Sequence, residues 1–165
     1  MTARRAGIAL AIAHVLLVGT LGLKLLADRA RLPRAWARTV PFDPDLPIRG
    51  RYVSLRLEVP LTEGSGGARA GEYREARLRT VGDRLEGILD DDGPVSVRLD
   101  STADGVVAGL VDPVAFFIPE HIPDPSLRPT GEQLWAEVTV PPRGPPRPIR
   151  LAVRRDGMLT PLEIR

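Results

Sequence analysis

The sequence predicts an all-β body, a small antiparallel sandwich or barrel, preceded by one N-terminal transmembrane helix. Three observations carry this. Residues 7–27 form an apolar run with only His14 and Lys24 strongly polar. Four segments after residue 47 alternate apolar and polar with period 2, the mark of half-buried strands. Between the segments stand Asp-Gly pairs and prolines, and no stretch after residue 40 sustains a helical stripe. The 17 prolines and 16 glycines in 165 residues favour many short elements joined by turns. Aromatic content is 4%, so the core must be built from Val, Leu and Ile.

Residues 1–6 read as a short tail. The 21 residues of 7–27 would span roughly 30 Å as a helix, about one hydrocarbon core. The run is longer than the apolar centre of a cleaved signal peptide, and Ala35-Trp36-Ala37, which mimics a small-x-small exit, lies well past it. An uncleaved anchor is therefore expected. His14 within it is either a functional ionisable group or a side chain facing a partner helix or water. Pro33 should end the helix. Residues 28–47, with "PFDPDLP" near their end, read as an extended linker, because residues before proline are pushed out of the helical region.

The β body is expected over 48–165. In "RYVSLRLEVP" Val53, Leu55, Leu57 and Val59 share one side, and Tyr52, Ser54, Arg56 and Glu58 the other. "PVSVRLD", "QLWAEVTV" and "PIRLAVR" repeat the pattern around Val97, Ala136 and Leu151. Further strands are expected at 73–81, 83–90, 105–111 and 157–164. Asp92-Gly93, Asp104-Gly105 and Asp156-Gly157 suit tight turns because both residue types tolerate positive φ. "EGSGGARAG" (63–71) reads as a flexible loop.

Composition excludes several chemistries. There is no cysteine, so disulfides, thiolate catalysis and cysteine zinc sites are out. The pI of about 9.6 does not signal nucleic-acid binding. Three of the 23 basic residues precede Asp28; the other 20 face 21 acids, a net of −1 with the signs interspersed. The chain's one lysine, Lys24, lies in the apolar run and cannot serve a serine–lysine peptidase site. With His14 in the span, a Ser-His-Asp triad would need His121, and no serine sits in a nucleophile elbow. Asp90, Asp91 and Asp92 are consecutive, which suits a turn lip better than converging metal ligands. No catalytic residue, metal or cofactor is expected. "PPRGPPRP" (141–148) reads as a stiff connection between strands rather than an SH3-type ligand.

"FDPDLPIRGRYVSLRL" resembles the signature of the bacterial GDYXXLXY family, an Asp-Pro element followed by Gly-Asp-Tyr-x-x-Leu-x-Tyr. Asp43 and Pro44 match the lead-in, and Gly50, Tyr52 and Leu55 match the motif. Arg51 stands where the family has Asp, and Leu57 where it has the last Tyr. "FFIPE" (116–120) is similar to the family's second block. With "LWAEVTV" and "RRDGML" the likeness spans roughly residues 40–165. It implies a membrane-anchored protein often found with multi-pass membrane proteins, with its body outside the cytoplasm. Counting Lys and Arg in the flanks gives the opposite orientation: Arg29, Arg31, Arg34 and Arg38 follow the span, and Arg4 and Arg5 precede it. The departure at Arg51 removes any metal or proton role for the family's Asp.

The motif has a structural account without a ligand. Gly50 opens the strand, Tyr52 covers the outer face with its hydroxyl on a backbone partner, and Leu55 enters the core. The functional expectation is non-catalytic: a domain anchored in the bacterial inner membrane that docks to, or helps assemble, an integral membrane partner. Its expected contact surface is Tyr52, Phe116, Phe117 and His121, with Asp43, Gly50, Arg51, Leu55 and Glu120 as accompanying motif positions. Adjacent phenylalanines on a strand point to opposite faces, so one ring must meet another element, a ligand or a partner. Two alternatives stand beside this: an envelope hydrolase using the Glu120–His121 pair, and a small-molecule or glycan binding module, which requires a concave aromatic face.

Overall fold

The computed structural model describes residues 3–42, 52–62, 68–103, 105–119 and 121–164. The chain divides into two compact units, Met1–Leu32 and Pro33–Arg165.

The first unit is helix α1, Ala3–Arg31. Val15, Leu16, Leu17 and Val18 are consecutive and exposed, so apolar side chains cover the whole circumference. The helix is long and apolar enough to cross a membrane, and none of its apolar window is buried in the protein. Two of its polar side chains turn to the helix backbone. His14 Nδ1 lies 2.9 Å from the Leu10 carbonyl oxygen, and Thr20 Oγ1 donates to the Leu17 carbonyl at 3.0 Å. The His14 contact adds a third account of that residue, a polar group satisfied within its own helix. Arg29 and Arg31 occupy the last turn, where cations suit the helix dipole. The Leu32 N–H still reaches the Asp28 carbonyl at 2.9 Å; Pro33 then stops the helix.

The second unit is built from ten strands: β1 (Arg34–Pro41), β2 (Tyr52–Pro60), β3 (Tyr73–Val81), β4 (Arg84–Leu89), β5 (Val95–Thr102), β6 (Gly105–Leu110), β7 (Val114–Phe117), β8 (Gln133–Thr139), β9 (Arg147–Arg155) and β10 (Met158–Pro161). Six of them close a barrel in the order β1-β4-β3-β5-β6-β2, with β2 returning to β1. All pairings in the ring are antiparallel except β1–β4. Strands β8, β9 and β10 form a meander that continues from β1.

β1 organises this architecture. Arg38 pairs with both Trp135 of β8 and Glu58 of β2, and Trp36 with both Glu137 of β8 and Arg84 of β4. A strand has two edges, so β8 runs along one, while β4 and then β2 share the other. β2 leaves at Pro60, which has no N–H to extend a ladder, and the Trp36 N–H donates instead to the Asp83 carbonyl at 2.7 Å. β6 and β7 are two halves of one course along β2: Glu58 faces Gly109 and Tyr52 faces Phe117, a register change of two absorbed at Val111-Asp112-Pro113.

The apolar faces form one core. Val53, Leu55, Leu57 and Val59 meet Leu85, Val97, Leu99, Ala108 and Leu110 inside the barrel, and the same cluster takes in Leu134, Ala136, Val138 and Leu151. Ala35 and Ala37 are the matching inward residues of β1.

The expected linker over 28–47 requires correction. Its first residues finish α1, and Arg34–Pro41 is a central strand rather than a spacer. The signal was there as alternation of Ala35, Ala37 and Thr39 with Trp36, Arg38 and Val40, but the inward set is small and does not read as hydrophobic. β1 is pinned by Thr39, whose buried hydroxyl donates to the Leu134 carbonyl at 2.9 Å.

Turn chemistry matches expectation at Asp156 (φ 50°) and Gly157 (φ 81°), which join β9 to β10. Asp92-Gly93 works differently. Gly93 does not have positive φ; a Cβ there would lie 2.5 Å from backbone atoms of Ala76. The glycine is required by close approach, not by conformation. The aspartates beside it are engaged with arginines: Asp90 with Arg77 at 2.9 Å and Asp91 with Arg74 at 3.2 Å. Of the 141–148 stretch, the residues up to Pro146 connect β8 to β9, with Pro146 buried, and Arg147 and Pro148 already belong to β9.

Candidate functional site

Two surfaces of the body carry chemistry. The first is the aromatic edge anticipated from sequence. β7 is a terminal strand of the sheet, paired with β2. The Tyr52–Phe117 register pair brings the two rings to 5.7 Å between centroids, edge to face at 73°. Both are well exposed, Tyr52 at 47% and Phe117 at 61%. Phe116 points the other way and packs against the core. The adjacent rings are thus resolved as expected, one inside and one on the surface. The Tyr52 hydroxyl has no backbone partner among the described residues; ring packing holds this side chain instead. Leu55 is fully buried. His121 is exposed and lines none of the cavities described here. Asp43, Gly50, Arg51 and Glu120 lie outside the described residues.

The second surface was not anticipated. Residues paired across strands share a face, and the β9-β8-β1 slab lays out a grid on its outer side. One row reads Arg150, Glu137, Trp36, Arg84; the next reads Ala152, Trp135, Arg38, Glu58. Both tryptophans of the chain therefore stand on this one face, and guanidinium groups cover them. Arg150 lies 5.3 Å from the centroid of the Trp36 ring, and Arg154 5.3 Å from that of Trp135.

Where β4 gives way to β2 along β1, the surface is concave. A cavity of about 210 Å³ opens there, with Ala37 and Leu85 in its lining together with Trp36, Trp135, Arg84 and Arg154. A second cavity of about 110 Å³ shares those last four residues and adds Asp83.

The charges of this cleft do not all cancel. Arg150 is paired to Glu137, whose side chain is nearly buried, and Arg38 lies 3.3 Å from Glu58. Arg84 and Arg154 have no carboxylate partner among the described residues, and Asp83 stands near them without forming an ion pair. Trp135 Nε1 is buried without an acceptor, whereas Glu58 Oε2 is the oxygen that Arg38 Nε approaches at 3.3 Å. An orphaned buried donor such as Trp135 Nε1 costs about 1–3 kcal/mol. Among the described residues no group of three or more His, Asp or Glu is placed to hold a metal ion.

The sequence did hold a trace of this site. Trp36 and Trp135 each alternate with arginine or glutamate on the outward side of a strand. What it could not convey is that β8 returns to lie beside β1, a juxtaposition across about a hundred residues. Comparison of the chain with protein-family models, with curated proteins and with solved structures returns no match.

Proposed function

We propose that this chain is a bacterial inner-membrane protein, held by α1, whose extracytoplasmic barrel docks to or helps assemble an integral membrane partner and is itself non-catalytic. The observation that supports it best is the exposed Tyr52–Phe117 pair at the outer end of the sheet. An aromatic pair on an edge strand combines apolar contact area with an unpaired backbone row, the combination that strand-addition partners use. A membrane-spanning helix restricts such a partner to the same bilayer. The resemblance to the GDYXXLXY family at Asp43, Pro44, Gly50, Tyr52 and Leu55 points to the same setting.

Co-purification in a mild detergent tests it. Wild-type protein should retain a stoichiometric multi-pass partner, and Phe117→Ala should lose it while keeping its thermal transition. Wild type recovered alone, or unchanged recovery by Phe117→Ala, refutes the docking role. A reporter fused after Arg165 tests the orientation, with activity expected on the extracytoplasmic side only.

The binding-module alternative is favoured by one specific observation, the concave cleft lined by both tryptophans. Docking and ligand binding would use opposite ends of β2: Tyr52 and Glu58 are six residues apart, roughly 20 Å along a strand.

A further inference from the structure

The cleft between β1, β2, β4 and β8 narrows the chemistry of what it can hold, and this inference rests on its being a binding site. The cavity of about 210 Å³ is smaller than the roughly 300–1,000 Å³ of sites that enclose a drug-sized molecule, so its occupant is a single ring or a short chain. Arg84 and Arg154 both line the two adjoining cavities and have no carboxylate partner among the described residues, and two guanidinium forks are suited to a planar oxyanion. Arg38 and Glu58 line the larger cavity as an ion pair and cancel, and Asp83 lines the smaller one, so Arg84 and Arg154 leave a surplus of about one positive charge. A monoanion matches that surplus, whereas a phosphate dianion would meet both carboxylates. Glu58 lines the larger cavity, and although it is paired with Arg38, its carboxylate has further lone pairs that accept from a hydroxyl. Two indoles in the lining supply apolar ring surface.

We infer that this cleft binds a sugar acid, a hydroxylated ring carrying one carboxylate, either free or as the end group of a glycan. The carboxylate lies between Arg84 and Arg154, the ring contacts Trp36 and Trp135, and its hydroxyls donate to Glu58. An acidic peptide side chain would satisfy the guanidiniums but would bring no hydroxyl for Glu58.

The test is intrinsic fluorescence, because the chain's only two tryptophans line the site. The full chain in lipid nanodiscs, which avoid glycoside detergents, is titrated with glucuronate, glucose, acetate, inorganic phosphate and an acidic dipeptide. The expected result is a saturable change with glucuronate, at least about tenfold weaker with each of the others. Added salt should weaken it, and Arg84→Gln or Arg154→Gln should raise the half-saturation concentration about tenfold or more. A glucuronate response unaltered by both substitutions overturns the assignment of the guanidiniums. Equal or tighter response to glucose, phosphate or the dipeptide overturns the sugar-acid class and leaves the cleft a binding site of another kind. No response to any of the five overturns the binding reading itself. Circular dichroism of the arginine variants, expected to match wild type, separates lost binding from lost folding.

Discussion

At the scale of single residues, the sharpest constraints are steric and electrostatic. Gly93 abuts the backbone of Ala76, a strand residue that cannot yield as a flexible side chain would. Gly93→Ala should therefore destabilise the body by about 1–3 kcal/mol, read as a lower urea midpoint at unchanged slope. Asp90 lies beside it. Its carboxylate accepts from the Asp92 N–H and from Arg77, in that order of weight, and both hold its pKa below the usual aspartate value. A depressed carboxylate stabilises the fold above its unfolded pKa, and that stabilisation is lost as pH falls through the folded value. Urea midpoints should stay level above about pH 5 and fall below about pH 4, and Asp90→Asn should fall less steeply over that acid range. The Asp90 side chain is partly open to solvent, so the difference between the two curves should be small. Gly93 was legible as a turn residue, but its close approach was not, since Ala76 belongs to β3, which pairs between the two strands that Gly93 connects.

At the scale of elements, β1 is the strand on which most depends. It gives one edge to β8 and divides the other between β4 and β2, and it does so with Ala35 and Ala37 as its inward residues. Small side chains let three neighbouring strands come close at one place. Ala37→Leu should overpack that junction, costing about 1–3 kcal/mol, and should change tryptophan emission because Ala37 lines the larger cavity. By contrast Leu57 is a fully buried side chain deep in the barrel, and Leu57→Ala should cost about 2–5 kcal/mol by thermal unfolding without shifting that emission. The strands with large alternating apolar residues, β2, β5, β8 and β9, were all visible beforehand. β1 was not, because its inward alanines carry little hydrophobic signal and its neighbours are prolines. The Tyr52–Phe117 contact was half visible: the adjacent phenylalanines foretold one exposed ring, but not that β7 would align it with Tyr52.

At the scale of the whole molecule, the chain is an apolar helix and a barrel with separate physical bases. The helix satisfies its own backbone and exposes apolar side chains all round; the body has one closed apolar core of its own. Removal of residues 1–32 should leave a body that unfolds cooperatively and stays in aqueous solution, whereas the full chain should require detergent or lipid. Sedimentation after membrane extraction, with differential scanning calorimetry on the shortened form, checks both.

Some of this was written in local pattern alone. An apolar run of membrane length specifies a helix, because lipid leaves the backbone no other partner than itself. Period-2 alternation specifies strands and which face of each is buried, because successive side chains on a strand point to opposite sides. Ring closure, the sharing of β1 between β4 and β2, and the meeting of Trp36 with Trp135 were decided by tertiary structure. These depend on which strand edges pair across long stretches of chain, and alternation reveals a strand's faces without naming its neighbours.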